Sequence, residues 1–88
     1  MRWDLHVAGP ARKQLERLPS KTREQILAVL VAMRDNPFQG DIQHLKNQPS
    51  AFRRRVGDWR ILFDPEPGRH LVVVTAIERR TTTTYRLR

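Results

Sequence analysis

The chain has 88 residues, enough for one small domain with a modest core, and contains no cysteine that could form a disulfide or bind a structural zinc. Its longest apolar run, at 71–74, is too short to span a membrane, and residues 1–7 lack the apolar region of a signal peptide, so we expect a soluble, cytoplasmic protein. Lys and Arg number 17 against 9 Asp and Glu; the net charge of +8 favours a polyanionic partner, such as DNA, RNA, an acidic protein or an acidic membrane surface, over an ordinary basic protein.

A strand and a helix are predicted at the start of the chain. Polar and apolar side chains alternate over residues 2–8, which is the period of a half-buried strand. Pro10 suits the first turn of a helix, where its missing N–H is not needed, and Pro19 ends that helix. The apolar residues are Trp3, Leu5 and Val7 in the strand and Ala11, Leu15 and Leu18 in the helix.

A second helix is predicted over residues 21–35, with Ser20 as its N-cap. Ile26, Leu30 and Met33 give this helix an apolar stripe, and the following Asn-Pro pair ends it. Because very few residues separate the two helices, they form a helical hairpin. Residues 36–50 are predicted to be a loop, whose length is unusual in a small domain and is often associated with function.

Three strands complete the predicted fold, at residues 51–56, 59–64 and 70–77. The unbroken apolar run in the last of them indicates a central strand that is buried on both faces. The element order is β-α-α-β-β-β. The sequence therefore predicts an α+β domain, in which a helical hairpin packs on one face of a small, mainly antiparallel sheet.

The turn between the first two of these strands has a two-residue loop, Gly57 and Asp58, of the type II′ or I′ kind. Counting outward from this turn gives the cross-strand pairs, and alternation then gives the two faces of the hairpin. Arg53, Arg55 and Arg60 share the face that points away from the helices. The predicted pairs are Phe52 with Phe63, Arg53 with Leu62, Arg54 with Ile61, Arg55 with Arg60, and Val56 with Trp59.

The three arginines on one face have no stabilising role of their own, because like charges opposite each other destabilise a sheet. Guanidinium groups bind phosphate through two parallel hydrogen bonds, so the pattern favours an anion site. Arg54 falls on the apolar face, and we expect its head to reach solvent from a long stem. The alternative is that carboxylates neutralise the three arginines, or that the side chains splay into water. The candidate carboxylates are Asp4, Glu66 and Glu78.

Four blocks of the sequence occur in a familiar order: LERLPSKTREQI, NPF, LKNQPSAFRRRVGDWRILF and VVVTAIERRTTTTY. In this order and spacing they resemble the RelE/ParE superfamily of bacterial toxins from type II toxin–antitoxin pairs. The resemblance runs from Leu5 to Tyr85, and its most telling piece is RRRVGDWRILF. It implies a RelE-like fold for the whole chain.

The resemblance implies two functions. RelE-type members are ribosome-dependent endoribonucleases that cut mRNA without a metal or other cofactor, whereas ParE-type members inhibit DNA gyrase and lack the nuclease residues. Both are neutralised by a cognate antitoxin, which we expect to be acidic because this chain is basic. We favour the RelE-type mRNA interferase, with mRNA and the ribosome as partners. A ParE-like gyrase inhibitor and a non-catalytic nucleic-acid-binding module remain the alternatives.

The resemblance also carries roles to individual residues. The two basic strand positions fall on Arg53 and Arg55, and the hairpin arginine on Arg60. The C-terminal arginine falls on Arg80, although the short spacing to the C-terminal Tyr85 leaves its neighbour as the alternative. The expected catalytic residues are Arg55, Arg60, Arg80 and Tyr85, and the expected RNA-binding residues are Lys46, Arg53, Arg55 and Arg79.

RNA cleavage by attack of a 2′-OH needs a proton acceptor, stabilisation of the phosphorane charge and a proton donor. Arginine suits the second task, because it is a fixed donor with a permanent charge, and it is a poor base. Tyr85 is the candidate that orients or deprotonates the 2′-OH, or else it caps the core. Glu78 is either a base or an ion-pair partner of a nearby arginine. The histidines are expected at the surface or rim: His6, His44 and His70.

Overall fold

The computed structural model describes residues 2–47 and 50–79 and has the predicted α+β architecture. Two helices and five strands occur in the described part of the chain, with a short 3-10 turn before the last strand. The elements are β1 (Asp4–Val7), α1 (Gly9–Glu16), α2 (Ser20–Asp35), β2 (Ile42–His44), β3 (Phe52–Val56), β4 (Trp59–Glu66), the 3-10 turn (Pro67–Arg69) and β5 (Leu71–Arg79).

The strands form one mixed sheet in the order β1-β5-β4-β3-β2. β1 runs parallel to β5, and the other neighbouring strands are antiparallel. The predicted central position of the last strand is confirmed, because β5 lies between β1 and β4. Its predicted burial on both faces holds for one face only, since Val72 and Val74 are fully buried while Leu71 and Val73 are partly buried. β4 is two residues longer than predicted, since Pro65 still pairs with Val72.

The core lies between the two helices and one face of the sheet. Alternation in the strands and the helical period in α1 and α2 direct apolar side chains to the same space. Complete burial of a side chain the size of Ile or Phe contributes about 1.5–3 kcal/mol, so a few such residues hold the layers together. The buried apolar residues are Ala11, Leu18, Ile26, Leu30, Met33, Ile61, Phe63, Val72, Val74 and Ile77.

The helix α2 begins one residue earlier than predicted. Its N-cap position is occupied by Pro19, whose carbonyl oxygen accepts a hydrogen bond from the backbone N–H of Arg23 at 2.8 Å. Ser20 is therefore the first helical residue, and the prediction that its hydroxyl caps the helix is wrong. The helix ends as predicted at Asp35, before the Asn-Pro pair. Among residues 2–47 and 50–79, no helix is long and apolar enough to cross a membrane.

The segment predicted as a loop contains a strand that the sequence did not predict, β2. Residues 42–44 form β2, which pairs antiparallel with β3 at the edge of the sheet, so the prediction of an unstructured 36–50 segment is wrong for its middle. Ile42 is half-buried against the core, while Gln43 and His44 are exposed. Three residues are too few for an alternating pattern to stand out in a sequence, but they are enough to cover the outer edge of β3.

Candidate anion-binding site

The hairpin of β3 and β4 has the predicted register. Val56 pairs with Trp59 and Arg55 with Arg60, so the connecting loop is Gly57 and Asp58. Gly57 has φ of +59°, a left-handed conformation that glycine adopts readily and that this kind of turn requires. Because the loop has two residues, the pairing and both faces of the hairpin follow from it.

Arg55 and Arg60 lie directly opposite each other on the face away from the helices. Their side chains are 44% and 43% exposed, so both guanidinium groups are open to a ligand in solution. Two like charges directly opposite each other on neighbouring strands destabilise a sheet by up to about 1 kcal/mol relative to a neutral pair. The two exposed arginines therefore form the part of the hairpin best suited to receive an anion.

Arg60 is ion-paired with Glu78, its neighbour on β5. Its Nη2 and Nε donate to the same carboxylate oxygen, Glu78 Oε1, at 3.0 and 3.2 Å. Of the three candidate carboxylates, Glu78 thus neutralises one arginine as the alternative interpretation expected. The other two do not reach the arginines, since Asp4 is exposed on β1 and Glu66 pairs with Arg69.

Arg53 is the most enclosed arginine of this face, with 19% of its side chain exposed. Gln43 lies opposite it on β2, and the amide oxygen Oε1 accepts from Arg53 Nε at 3.1 Å and from Nη2 at 2.8 Å. The remaining nitrogen, Nη1, is 3.5 Å from Asp41 Oδ1 but is buried without a hydrogen bond. This arginine is fixed in orientation and partly covered.

Asp41, immediately before β2, also contacts Arg55. Its Oδ2 is 3.9 Å from Arg55 Nε, and its backbone carbonyl accepts from the backbone N–H of Arg55 at 2.9 Å. On this face, the three arginines 53, 55 and 60 therefore meet two carboxylates, which leaves one net positive charge. The predicted cluster exists, and it is less basic than the sequence alone suggested.

Arg54 lies on the helix side of the sheet, as predicted, next to the fully buried Ile61. Its guanidinium is not simply released to solvent, because Nη1 donates to the carbonyl of Gln39 at 2.7 Å and Nε is buried without a partner. The group packs against Gly40, where a Cβ would come within 2.4 Å of Arg54 Cζ. The aliphatic part of the Arg54 side chain thus carries the guanidinium to the segment after α2, which the guanidinium holds in place.

The structure does not bring together all the residues expected at the site. Lys46 is exposed beyond the end of β2 that pairs with Phe52, at the far end of the hairpin from Arg55. Arg79 pairs with Trp59, so alternation places it on the face opposite Arg60. Two further predicted residues, Arg80 and Tyr85, lie outside the described residues.

The three histidines lie at a distance from the three arginines. His70 stacks on Trp3 with ring centroids 4.3 Å apart, and His44 packs against Phe52 at 4.9 Å. His6 pairs with Val73 and is exposed on the same face of the sheet as Arg60, but it lies on β1, two strands away from β4. Within the described ranges, no group of three or more His, Cys, Asp or Glu side chains has an arrangement that could hold a metal ion.

Sequence reasoning missed two residues of this site, Asp41 and Gln43. Both stand on β2 or next to it, and the segment around them was predicted as loop. A signal was present, because Asp41 and Gln43 are polar and flank the apolar Ile42 with a period of two. That pattern is too short to be trusted by itself, and pairing with β3 is what gives it meaning.

Solved structures share this fold. The archaeal RelE–RelB complex from Pyrococcus horikoshii OT3 contains a chain that superposes with a TM-score of 0.80 at 17% identity, over 93% of this chain and 99% of that chain. The toxin–antitoxin complex RelBE2 from Mycobacterium tuberculosis gives 0.79 at 19% identity, over 91% and 100%. The isolated E. coli RelE toxin gives 0.75 at 19% identity, over 97% and 94%.

These similarities confirm, at the level of the fold, the resemblance to RelE that the sequence predicted. No protein-family model and no curated protein matches the sequence. At 17–20% identity, the solved structures establish the architecture of this chain, while its activity has to be argued from its own residues.

Proposed function

We propose that this chain is the toxin of a type II toxin–antitoxin pair and that it acts as a RelE-type, ribosome-dependent endoribonuclease. The observation that carries the proposal is the pair of exposed guanidinium groups on Arg55 and Arg60, opposite each other on the open face of a RelE-like sheet. Two such groups side by side match the oxygens of one phosphodiester. A RelE-like sheet with two exposed arginines opposite each other on its open face therefore favours a reaction at a phosphate over a function in protein binding alone.

The proposed reaction is attack of a ribose 2′-oxygen on the adjacent phosphorus. The O2′–P bond forms, the P–O5′ bond breaks, the 2′-OH loses its proton and the 5′-oxygen gains one. Arg55 and Arg60 stabilise the charge on the pentacoordinate phosphorus, because the hairpin register places two permanently charged donors opposite each other on one face. Neither arginine can accept the proton. That task is proposed for Tyr85, with Arg80 as a further cation, as the family resemblance implies.

The substrate must also displace a carboxylate from Arg60. Both hydrogen bonds of this pair fall on Glu78 Oε1, and the arginine is 43% exposed, so a phosphate oxygen can approach the guanidinium from solvent. Such an exposed pair contributes at most about 1 kcal/mol, which a doubly charge-assisted contact to phosphate offsets. Glu78 then stands beside the bound phosphate as a second candidate proton acceptor.

The proposed partner in the resting cell is an acidic antitoxin. The chain carries a net charge of +8, and RelE-type chains of the same fold have been solved in complexes with RelB antitoxins. Complementary charge speeds association and suppresses wrong partners. Because the proposed substrate is ribosome-bound mRNA, the protein is proposed to act in the cytoplasm.

The test is a translating extract to which the purified protein is added, followed by mapping of mRNA 5′ ends. We expect cuts in phase with codons, and we expect Arg60→Ala to lower the cleavage rate by 100-fold or more. Arg69→Ala is the matched control, because Arg69 also forms an exposed ion pair with a glutamate, Glu66, and lies outside the arginine face. Its cleavage rate should remain within about 2-fold of the unchanged protein.

A gyrase supercoiling assay on the same preparations separates the rival functions. Intact mRNA together with inhibited supercoiling would replace the proposal with a ParE-like gyrase inhibitor. RNA binding without cleavage in the extract and without an effect on gyrase would indicate a non-catalytic nucleic-acid-binding module. Equal loss of cleavage in Arg60→Ala and Arg69→Ala would show that general charge, and not this face, is responsible.

A further inference from the structure

The carboxylate of Asp41 lies between two arginines of the open face. Its Oδ1 is 3.5 Å from Arg53 Nη1, and its Oδ2 is 3.9 Å from Arg55 Nε. One carboxylate thus presents its two oxygens to two different guanidinium groups. A phosphodiester, which also carries two charged oxygens on one centre, makes the same kind of contact.

These two contacts are loose for charge-assisted pairs. Hydrogen bonds between guanidinium and carboxylate are normally about 2.7–2.9 Å long, well below both distances. Arg53 Nη1 is buried and lacks a hydrogen bond even though Asp41 is close to it. The Asp41 side chain is 54% exposed, so solvent is available to it if it leaves. Its carboxylate covers the two arginines without satisfying them.

Gln43 supports Arg53 from the other side without neutralising it. The amide oxygen takes two of the guanidinium hydrogen bonds, at 3.1 and 2.8 Å, and an amide has no charge to oppose the arginine. Arg53 is therefore held in one orientation with its positive charge intact. The nitrogen that remains, Nη1, is the one that faces Asp41.

We propose that Asp41 occupies a phosphate subsite in the free protein and that it competes with a phosphodiester of RNA for Arg53 and Arg55. Binding of RNA moves the carboxylate into solvent and gives both arginines an anion with better hydrogen-bond geometry. The subsite adjoins the phosphodiester position proposed at Arg55 and Arg60, because Arg55 contacts Asp41 and also lies opposite Arg60. The inference rests on the proposed function only in naming RNA as the ligand.

The test compares two variants that make the same change of charge. Asp41→Asn removes the competing charge, and Asp35→Asn is the matched control, because Asp35 forms an exposed ion pair with Arg2. Asp35 ends α2, on the helix side of the sheet. Binding is measured by fluorescence anisotropy with a 2′-O-methylated RNA oligonucleotide, which cannot be cleaved. We expect Asp41→Asn to bind about 3- to 10-fold more tightly than Asp35→Asn.

A double variant locates the effect. If Asp41 competes at this subsite, the gain from Asp41→Asn should disappear when Arg55→Ala is added. Equal affinities of Asp41→Asn and Asp35→Asn would overturn the proposal, because net charge alone would then explain both. Weaker binding by Asp41→Asn would also overturn it, since Asp41 would then hold the site together.

A measurement on the unchanged protein covers the case in which Asp41→Asn fails to fold. Inorganic phosphate is titrated against chloride at matched ionic strength, and the NMR signals of Arg53 Nε–H and of the Asp41 amide are followed. We expect both to shift with saturation under phosphate, while the Asp35 amide stays still. If the Arg53 and Asp41 signals did not shift on addition of phosphate, the proposal of a phosphate subsite would be wrong.

The two proposals fail separately. Tighter binding by Asp41→Asn in a protein that does not cut mRNA would leave the subsite in place and remove the nuclease. Codon-phased cleavage in a protein whose Asp41→Asn variant binds no better than Asp35→Asn would keep the nuclease and remove the competition by Asp41.

Discussion

Arg54 and Arg55 are neighbours in the chain, but they lie on opposite faces of β3 and have different surroundings. Arg54 points to the helix side, donates to the carbonyl of Gln39 and packs against Gly40. Arg55 points to the open side, where its 44% exposed side chain has one loose contact with Asp41. Arg54 holds the segment around Gln39 and Gly40 in place, whereas the guanidinium of Arg55 can still donate hydrogen bonds to a ligand.

The difference arises from strand alternation and not from the residue type. A run of three arginines looks uniform in a sequence, yet successive side chains of a strand enter different environments. The helix side offers backbone carbonyls of the segment after α2, and the open side offers solvent and a few polar groups of the neighbouring strands. The face of the sheet on which an arginine lies, more than charge itself, decides whether it can bind a ligand.

The largest expected effect is the loss of activity in Arg55→Ala. We expect the rate of mRNA cleavage to fall by 100-fold or more, because a charged donor to the phosphorane is removed. The free energy of unfolding should change by less than about 1 kcal/mol, since only a weak, exposed contact is lost. Cleavage in a translating extract and urea unfolding measure the two quantities.

Arg54→Ala is its counterpart, and we expect the opposite pattern. Loss of the charged hydrogen bond to Gln39 should cost about 1–3 kcal/mol of unfolding free energy, with cleavage at low temperature reduced by less than 10-fold. If Arg54→Ala abolished cleavage while Arg55→Ala did not, the assignment of the two faces to structure and function would be wrong.

The next effect concerns Gly40, which has φ of +99° and touches the Arg54 guanidinium. Gly40→Ala should lower the free energy of unfolding by about 1–3 kcal/mol, from backbone strain and from displacement of the arginine. The double variant with Arg54→Ala should show less than the sum of the two single losses. Without Arg54, the new Cβ at position 40 has no guanidinium to displace. Full additivity in urea unfolding would mean that Arg54 does not pack against this glycine in solution.

The smallest expected effect distinguishes orientation from charge at Gln43. Gln43→Glu keeps an acceptor for Arg53 but adds a third carboxylate, so the open face loses its one net positive charge. We expect it to weaken binding of the uncleavable RNA by about 10-fold, whereas Gln43→Ala should weaken it by about 3-fold. Equal affinities for the two variants would indicate that Gln43 acts only by supporting β2.

The register of the β3–β4 hairpin could be predicted from the sequence, but the order of the strands around it could not. A two-residue turn at Gly57 and Asp58 leaves one register, and the register decides which arginines share a face. The mixed sheet order depends on β1 pairing with a strand more than sixty residues later, which no local pattern specifies. The resemblance to RelE predicted only the fold class, which the superposed structures confirm, and the strand order is seen in the structure itself.

The partners of the arginines were harder to predict for a physical reason. Asp41 and Gln43 reach the open face only because β2 adds to the edge of β3, and three residues have too little pattern to indicate a strand. The contact of Arg54 with Gln39 depends on the left-handed backbone of Gly40, which a glycine permits but does not require. Both contacts follow from tertiary packing, which periodicity does not describe.

The short edge strand has a consequence for self-association. Without β2, the backbone N–H and C=O groups of β3 would be unpaired at the edge of the sheet. A strand of another protein molecule could pair with them, and edge-to-edge pairing of this kind leads to aggregation. β2 covers this edge with only three residues, and it is preceded by a charged aspartate and by a glycine that cannot continue a flat strand. A further strand therefore finds few groups to pair with. The segment that arranges the arginines also keeps the sheet from growing at this side.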